Sequence, residues 1–129
     1  MGYFYFGSPK GTVYAVSKEG KELWYVNLGS TIETTPAVAF GKVFVGGDDG
    51  NLYVLKATTG ELLWKYPTKG PITASPIVSL NEIVHVGSTD GYIYALSTET
   101  WDLIWSVSTS ASIVMTPSIR QRNAVCGKL

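Results

Sequence analysis

Three tryptophans, Trp24, Trp64 and Trp105, stand 40 and 41 residues apart, and three prolines, Pro36, Pro76 and Pro117, keep the same two spacings. Between these markers the chain repeats its own text. GTVYAVSKEGKELWYVNLGSTIETTP (11–36), GNLYVLKATTGELLWKYPTKGPITASP (50–76) and GYIYALSTETWDLIWSVSTSASIVMTP (91–117) align along nearly their whole length. Such a chain folds as copies of one supersecondary unit, because a unit of this size buries its apolar side chains only against its neighbours.

A period near 40 that is filled with Val, Ile, Thr, Tyr, Phe and Trp and punctuated by glycine turns predicts an all-β chain of β-propeller blades, each of four antiparallel strands. In the middle copy the strands run, from the innermost outward, over Thr34 to Ala39, Lys42 to Gly46, Asn51 to Lys56 and Glu61 to Tyr66. Alternation along the third puts Leu52, Val54 and Lys56 on one face and Tyr53 and Leu55 on the other. Gly47-Asp48-Asp49-Gly50 and Thr59-Gly60 supply the turns, since glycine takes the positive φ that a tight turn between twisted strands demands. Outside the turns, no segment holds a helical apolar stripe that does not equally fit strand alternation.

The chain is cut out of phase with its own blades. Tyr3 to Gly7 matches Lys42 to Gly46 and Ile83 to Gly87, so the first blade begins at its second strand and lacks an innermost one. Its turn keeps a glycine but reads Lys10-Gly11 where the others read Asp49-Gly50 and Asp90-Gly91. Blade two spans about Thr34 to Tyr66 and blade three about Thr73 to Val107. The last turn of blade three reads Glu99-Thr100-Trp101-Asp102, with Trp101 where Gly20 and Gly60 stand, which predicts a strained or wider turn. Ile113 to Ile119 reads as a further innermost strand, and Asn123 to Gly127 as a fragment of a fourth second strand. Residues 1–119 are thus expected to form three blades, with 120–129 a partial repeat or tail.

Ten basic and ten acidic residues leave no net charge, which argues against electrostatic binding to nucleic acid or to an anionic membrane. No apolar run approaches the roughly 18 residues of a membrane-spanning helix. Met1-Gly2 leads straight into the strand pattern Tyr3-Phe4-Tyr5-Phe6 rather than into a secretory signal. The single Cys126 allows no internal disulfide, and it sits where Val45 and Val86 sit, as a small apolar residue.

These repeats resemble those of the pyrroloquinoline-quinone-like, or quinoprotein-type, β-propeller superfamily, over nearly the whole chain. The residues that carry the resemblance are a tryptophan-docking pattern of the form A-x-x-x-T-G-x-x-x-W, matched best by Leu55-Lys56-Ala57-Thr58-Thr59-Gly60-Glu61-Leu62-Leu63-Trp64. The resemblance implies that Trp24, Trp64 and Trp105 pack between adjacent blades, with Gly20 and Gly60 letting the backbone lie beneath a ring. An amphipathic Trp at one recurring blade position is physically suited to that role, since it buries a large apolar area. Members of this superfamily include quinone-dependent alcohol dehydrogenases, outer-membrane assembly lipoproteins and sensor domains. The resemblance therefore favours a cell-envelope or extracellular setting without naming a function.

Residues speak against the enzyme. The dehydrogenases hold their quinone beside adjacent disulfide-bonded cysteines and a metal held by carboxylate and amide ligands; one cysteine cannot supply the pair, and Glu33, Asp48, Asp49, Glu82 and Asp90 read as scattered across blades. Neither a cofactor nor a metal site is therefore expected. Asp48-Asp49-Gly50-Asn51 lacks the spaced acidic ligands of a calcium loop and reads as a hairpin turn. His85 takes the position of Tyr5 and Phe44, a packing position, and no second histidine partners it.

What remains is binding. Thr35, Ser75 and Thr116, each just before a repeated proline, are expected to line a central channel, with Glu33, Thr34, Lys69 and Thr73 near its mouth. The plainer reading is that innermost strands crowd the axis and need small residues. Trp101, Tyr92 and Tyr25 are candidates for an exposed partner surface. The reading is a protein-interaction scaffold; the alternatives that stay open are a small-molecule or glycan-binding propeller using the central channel, or a fragment of a quinone-dependent dehydrogenase. Three blades do not close a ring, since propellers have about four to eight. A head-to-tail homodimer of six blades is expected, in which Ile113 to Ile119 of one chain completes the first blade of another.

Overall fold

The computed structural model describes residues 3–109, together with the backbone of two short strands at 118–119 and 124–125. Three antiparallel sheets follow one another along the chain. The first has β1 (Tyr3–Gly7), β2 (Thr12–Ser17) and β3 (Glu22–Asn27) in that spatial order. The second orders β4 (Ala37–Ala39), β5 (Lys42–Gly46), β6 (Asn51–Lys56) and β7 (Leu62–Pro67). The third does the same with β8 (Ile77–Val78), β9 (Ile83–Gly87), β10 (Tyr92–Ser97) and β11 (Leu103–Ser108). No helix occurs among the described residues. Among the described residues the first sheet has three strands, with β1 at its edge paired to β2.

Strand β12 (Ser118–Ile119) pairs antiparallel with β13 (Ala124–Val125), Ser118 lying opposite Val125 as Ile77 lies opposite His85. This is the inner-to-second-strand register of a further repeat. Thr116, Cys126 and the remainder of that repeat lie outside the described residues.

The innermost strands are shorter than the expected span from Thr34. Pro36 has no N–H to give to a ladder, and the residues before it bond elsewhere. Ile32 forms an isolated bridge with Gly47, and the buried Thr34 hydroxyl donates to Gly46 O at 3.1 Å while accepting from Gly46 N at 3.2 Å. The pin holds the inner segment against the second strand where the ladder stops.

Between second and third strands each blade makes the same turn. Gly11, Gly50 and Gly91 have φ of 95°, 90° and 92°, and their N–H groups donate back to Ser8 O, Gly47 O and Ser88 O. In blades two and three an aspartate braces this turn: Asp49 accepts from Asn51 N and from the Tyr53 hydroxyl, and Asp90 accepts from Tyr92 N and, at 2.5 Å, from the Tyr94 hydroxyl. Asp90 also accepts from Lys69 N at 3.1 Å, which ties blade three to the chain leaving blade two.

The core lies between the blades. Val13, Ile32, Val43, Val45, Leu55 and Ala57 fill the first seam; Phe44, Leu52, Val54, Ile72, Val84, Val86 and Leu96 fill the second. The alternation read along β6 holds, because Leu52 and Val54 enter one seam while Leu55 enters the other. A strand buried on both faces reads as a continuous apolar run, as β5 and β6 of the middle blade do.

Candidate functional site

The seams are built by indoles. Trp24 lies opposite Ala15 on the neighbouring strand, beside a bulge, and its ring crosses to blade two, where Nε1 donates to Ala57 O at 2.9 Å. Beneath it is Gly60, at φ 81°; a Cβ there would stand 2.5 Å from Trp24 Cε3. The turn glycine thus serves the tryptophan of the preceding blade, not Trp64 of its own. The Tyr5 hydroxyl reaches the same Ala57 carbonyl at 3.2 Å and its ring lies 5.9 Å from that of Trp24.

The second seam solves the same problem differently. Trp64 lies opposite Val54 and meets Trp101, which holds the turn position with φ 65°; the rings stack at 4.9 Å and 19°, and Lys42 Nζ sits 5.8 Å from the Trp101 ring centre. Trp101 N donates to Ser97 O at 3.1 Å as Gly60 N donates to Lys56 O at 2.8 Å, so the turn is strained but no wider. Trp101 therefore does not belong to an exposed partner surface. It is half-buried against Trp64, whose stacked ring offsets part of the cost of its left-handed conformation. Tyr25 and Tyr92, the other two candidates, are exposed.

Among the described residues, both ends of the stack present unfilled blade faces. On blade one, Phe4 and Phe6 are 58% and 48% exposed and Tyr25 is 64% exposed; Phe6 stacks on Tyr14, which in turn meets Tyr25. Gly20, at φ 87°, has nothing within 4 Å of where a Cβ would be. On blade three, Trp105 occupies the place of Trp24 and Trp64, opposite Ala95, yet it is 38% exposed. Beside it, with ring centres 5.8 Å apart, His85 is buried and its Nδ1 has no hydrogen-bond partner among the described residues. Burial holds this imidazole below its ordinary pKa, against the pull of a backbone hydrogen bond at Ile77.

The inner polar set is only partly brought together. Thr35 N donates to Ser75 Oγ at 2.8 Å, joining the inner segments of blades two and three. Thr34 is turned inward onto Gly46, while Lys69 is exposed and engages Asp90 through its backbone. Thr73 Oγ1 and Asp48 Oδ1 are buried without a hydrogen-bond partner among the described residues. The carboxylates are less scattered than the sequence suggests. Glu33 hydrogen-bonds to Asp48, and that bond, then the Asp48 charge, then desolvation raise the Glu33 pKa above its ordinary value. The Ile32–Gly47 bridge, which places residues 33 and 48 side by side, leaves no trace in the 40-residue period. Asp48 is accordingly the residue of this set that sequence reasoning missed. Among the described residues no three His, Cys, Asp or Glu side chains gather as metal ligands would.

Known proteins share this architecture. BamB from Moraxella catarrhalis superposes with a TM-score of 0.86 at 26% identity, over 97% of this chain and 40% of that one. A quinohemoprotein alcohol dehydrogenase from Comamonas testosteroni superposes with a TM-score of 0.73 at 27% identity, over 83% of this chain and 19% of that one. In sequence, the outer membrane protein assembly factor BamB of Burkholderia pseudomallei is 37% identical over 60 residues, 46% of this chain and 16% of that protein. The protein of the same name from Yersinia pestis is 34% identical over 70 residues, 50% of this chain and 18% of that protein. The matched stretches thus span less than a fifth of the length of these curated relatives. The family model described as outer membrane protein assembly factor BamB matches residues 9–128, and the chain belongs to that family.

Proposed function

We propose that this chain is a non-catalytic protein-interaction module of the cell envelope, taking polypeptide partners on its first blade. The observation that carries the reading is the match of residues 9–128 to the family model described as outer membrane protein assembly factor BamB, and the exposed Phe4 and Phe6, which continue into Tyr14 and Tyr25, offer an aromatic surface for it. Aromatic side chains supply apolar contact area at low entropic cost. The relatives named as outer membrane protein assembly factors support the envelope setting and a non-enzymatic role. Among the partners we include a second copy of the chain, joined head to tail into a six-bladed ring.

A photo-crosslinking residue placed at Phe4 tests this. In the envelope of a Gram-negative cell it is expected to capture polypeptide, where the same residue at the exposed Glu99 of blade three does not; equal yields from both positions would contradict the reading. Added quinone and calcium are expected to leave dye-linked alcohol oxidation at background.

A second reading, a small-molecule or glycan site formed by Glu33, Thr34, Thr35, Lys69, Thr73, Ser75 and Thr116, is favoured by the unpartnered buried oxygens of Asp48 and Thr73. Polar groups left unpaired in a buried position are costly and await a partner.

A further inference from the structure

Blades two and three carry an Asp-Gly dipeptide in the turn between second and third strands, Asp49-Gly50 and Asp90-Gly91. In a free chain this dipeptide rearranges, because glycine has no Cβ to keep its nitrogen away from the aspartyl Cγ. The nitrogen attacks Cγ, an N–Cγ bond forms, and the carboxyl hydroxyl leaves with the amide proton as water. The succinimide so formed takes water back at either carbonyl. Opening at the main-chain carbonyl leaves the chain running through Cγ, one methylene longer, as isoaspartate; no oxidant or reductant is consumed.

In both blades the turn holds each atom that this step must move. The glycine N–H is tied to a carbonyl, Gly50 to Gly47 O and Gly91 to Ser88 O, each at 3.1 Å. Asp90 Oδ1 accepts from Tyr92 N at 2.9 Å, and its Oδ2 accepts from Lys69 N at 3.1 Å and from the Tyr94 hydroxyl at 2.5 Å. Asp49 Oδ1 accepts from Asn51 N at 3.0 Å, and its Oδ2 accepts from Asn51 Nδ2 at 3.1 Å and from the Tyr53 hydroxyl. These donors favour the carboxylate, whereas the leaving oxygen needs a proton. Blade one has Tyr14 at the same position but Lys10 in place of the aspartate, so it has nothing to convert. We infer that the Asp49-Gly50 and Asp90-Gly91 turns are sites of spontaneous isoaspartate formation, and that the Tyr53 and Tyr94 hydroxyls hold each of them in its aspartyl form. Conversion reaches beyond the turn. Gly50 O accepts from Thr68 N at 2.7 Å and Gly91 O from Thr109 N at 2.8 Å, so a longer main chain displaces the anchor of the segment that leaves the outermost strand. At Asp90 it also displaces the carboxylate that ties blade three to Lys69 N.

Tyr53→Phe and Tyr94→Phe in the full chain test this, each stored in mildly acidic buffer below its unfolding midpoint with circular dichroism as the check on folding. Peptide mapping with electron-transfer fragmentation then follows isoaspartate at each position with time. Tyr94→Phe is expected to convert Asp90 about ten-fold faster than the native chain does, the factor that loss of one hydrogen bond to a charged group supplies, and to leave Asp49 unchanged. Tyr53→Phe is expected to do the reverse. A general loosening of the fold raises both positions together in either variant. Such a parallel rise, or a native rate at the turn whose hydroxyl was removed, overturns the inference. The native chain gives a second measurement: in denaturant both positions are expected to convert faster than in the folded protein, and equal rates would overturn the inference as well.

Discussion

At the scale of the residue, the seam between blades rests on an indole lying across a glycine. Gly60 and Gly20 have nearly the same φ, 81° and 87°, but Trp24 covers only the first. Asparagine accepts the left-handed region better than other side chains, so the backbone cost of Gly→Asn is similar at both sites. At Gly60 the added Cβ also displaces a ring that it would approach to 2.5 Å. In dilute, monomeric protein, Gly60→Asn is expected to lose about 2 kcal/mol or more of unfolding free energy and Gly20→Asn about 1 kcal/mol or less. Equal denaturant midpoints would show that the ring does not rest there. Trp24→Ala should cost about 3 kcal/mol, the lower end for a large aromatic because the ring keeps some exposure. The recurring Trp and Gly were legible in the sequence as a spacing. Which glycine serves which tryptophan was not, because a period fixes equivalence between copies and says nothing of which copy a side chain crosses to.

At the scale of the element, the turns of blades two and three are braced by carboxylates, and the brace titrates. Burial pushes the Asp90 carboxyl up, but hydrogen bonds from the Tyr94 hydroxyl, Lys69 N, Tyr92 N and Ser88 outweigh it and hold the group below its ordinary 3.8. The same burial and the same carboxylate push the Tyr94 phenol far above its usual range. A carboxyl with a depressed folded pKa contributes stability that is present above its unfolded value and is lost as pH falls through the folded one. Asp90→Ala is therefore expected to cost about 1 to 2 kcal/mol at neutral pH, in the range for a few partly exposed hydrogen bonds to a charged group. The difference from the native chain should shrink as the pH is lowered below 3.8, and a difference that stays constant to pH 2 would argue against the brace. The Asp-Gly dipeptides were legible as turns, and the tyrosines as a recurring strand position. Their hydrogen bond was not, since Tyr53 and Tyr94 fit strand alternation whether or not an acid faces them. The adjacency of Glu33 and Asp48 was hidden for a related reason: it depends on one isolated bridge between segments that the repeat assigns to separate strands.

At the scale of the whole molecule, the all-β architecture and the antiparallel four-strand order of the second and third blades were read from the phase of the repeat. They could be, because each blade is specified by local alternation and each seam by the same few side chains. The short inner strands departed from expectation because Pro36 and the Thr34 hydroxyl divert that segment from its ladder. The self-association proposed above rests on the apolar character of the two end faces of the described residues. One carries exposed Phe4, Phe6 and Tyr25, the other an exposed Trp105 beside a buried histidine with an unpartnered nitrogen. Faces of this kind associate. Sedimentation of the native chain across a wide range of concentration measures this most directly. A mass that rises with concentration and levels at twice the 14.0 kDa of the chain is the predicted result; a mass fixed at 14.0 kDa throughout would contradict it.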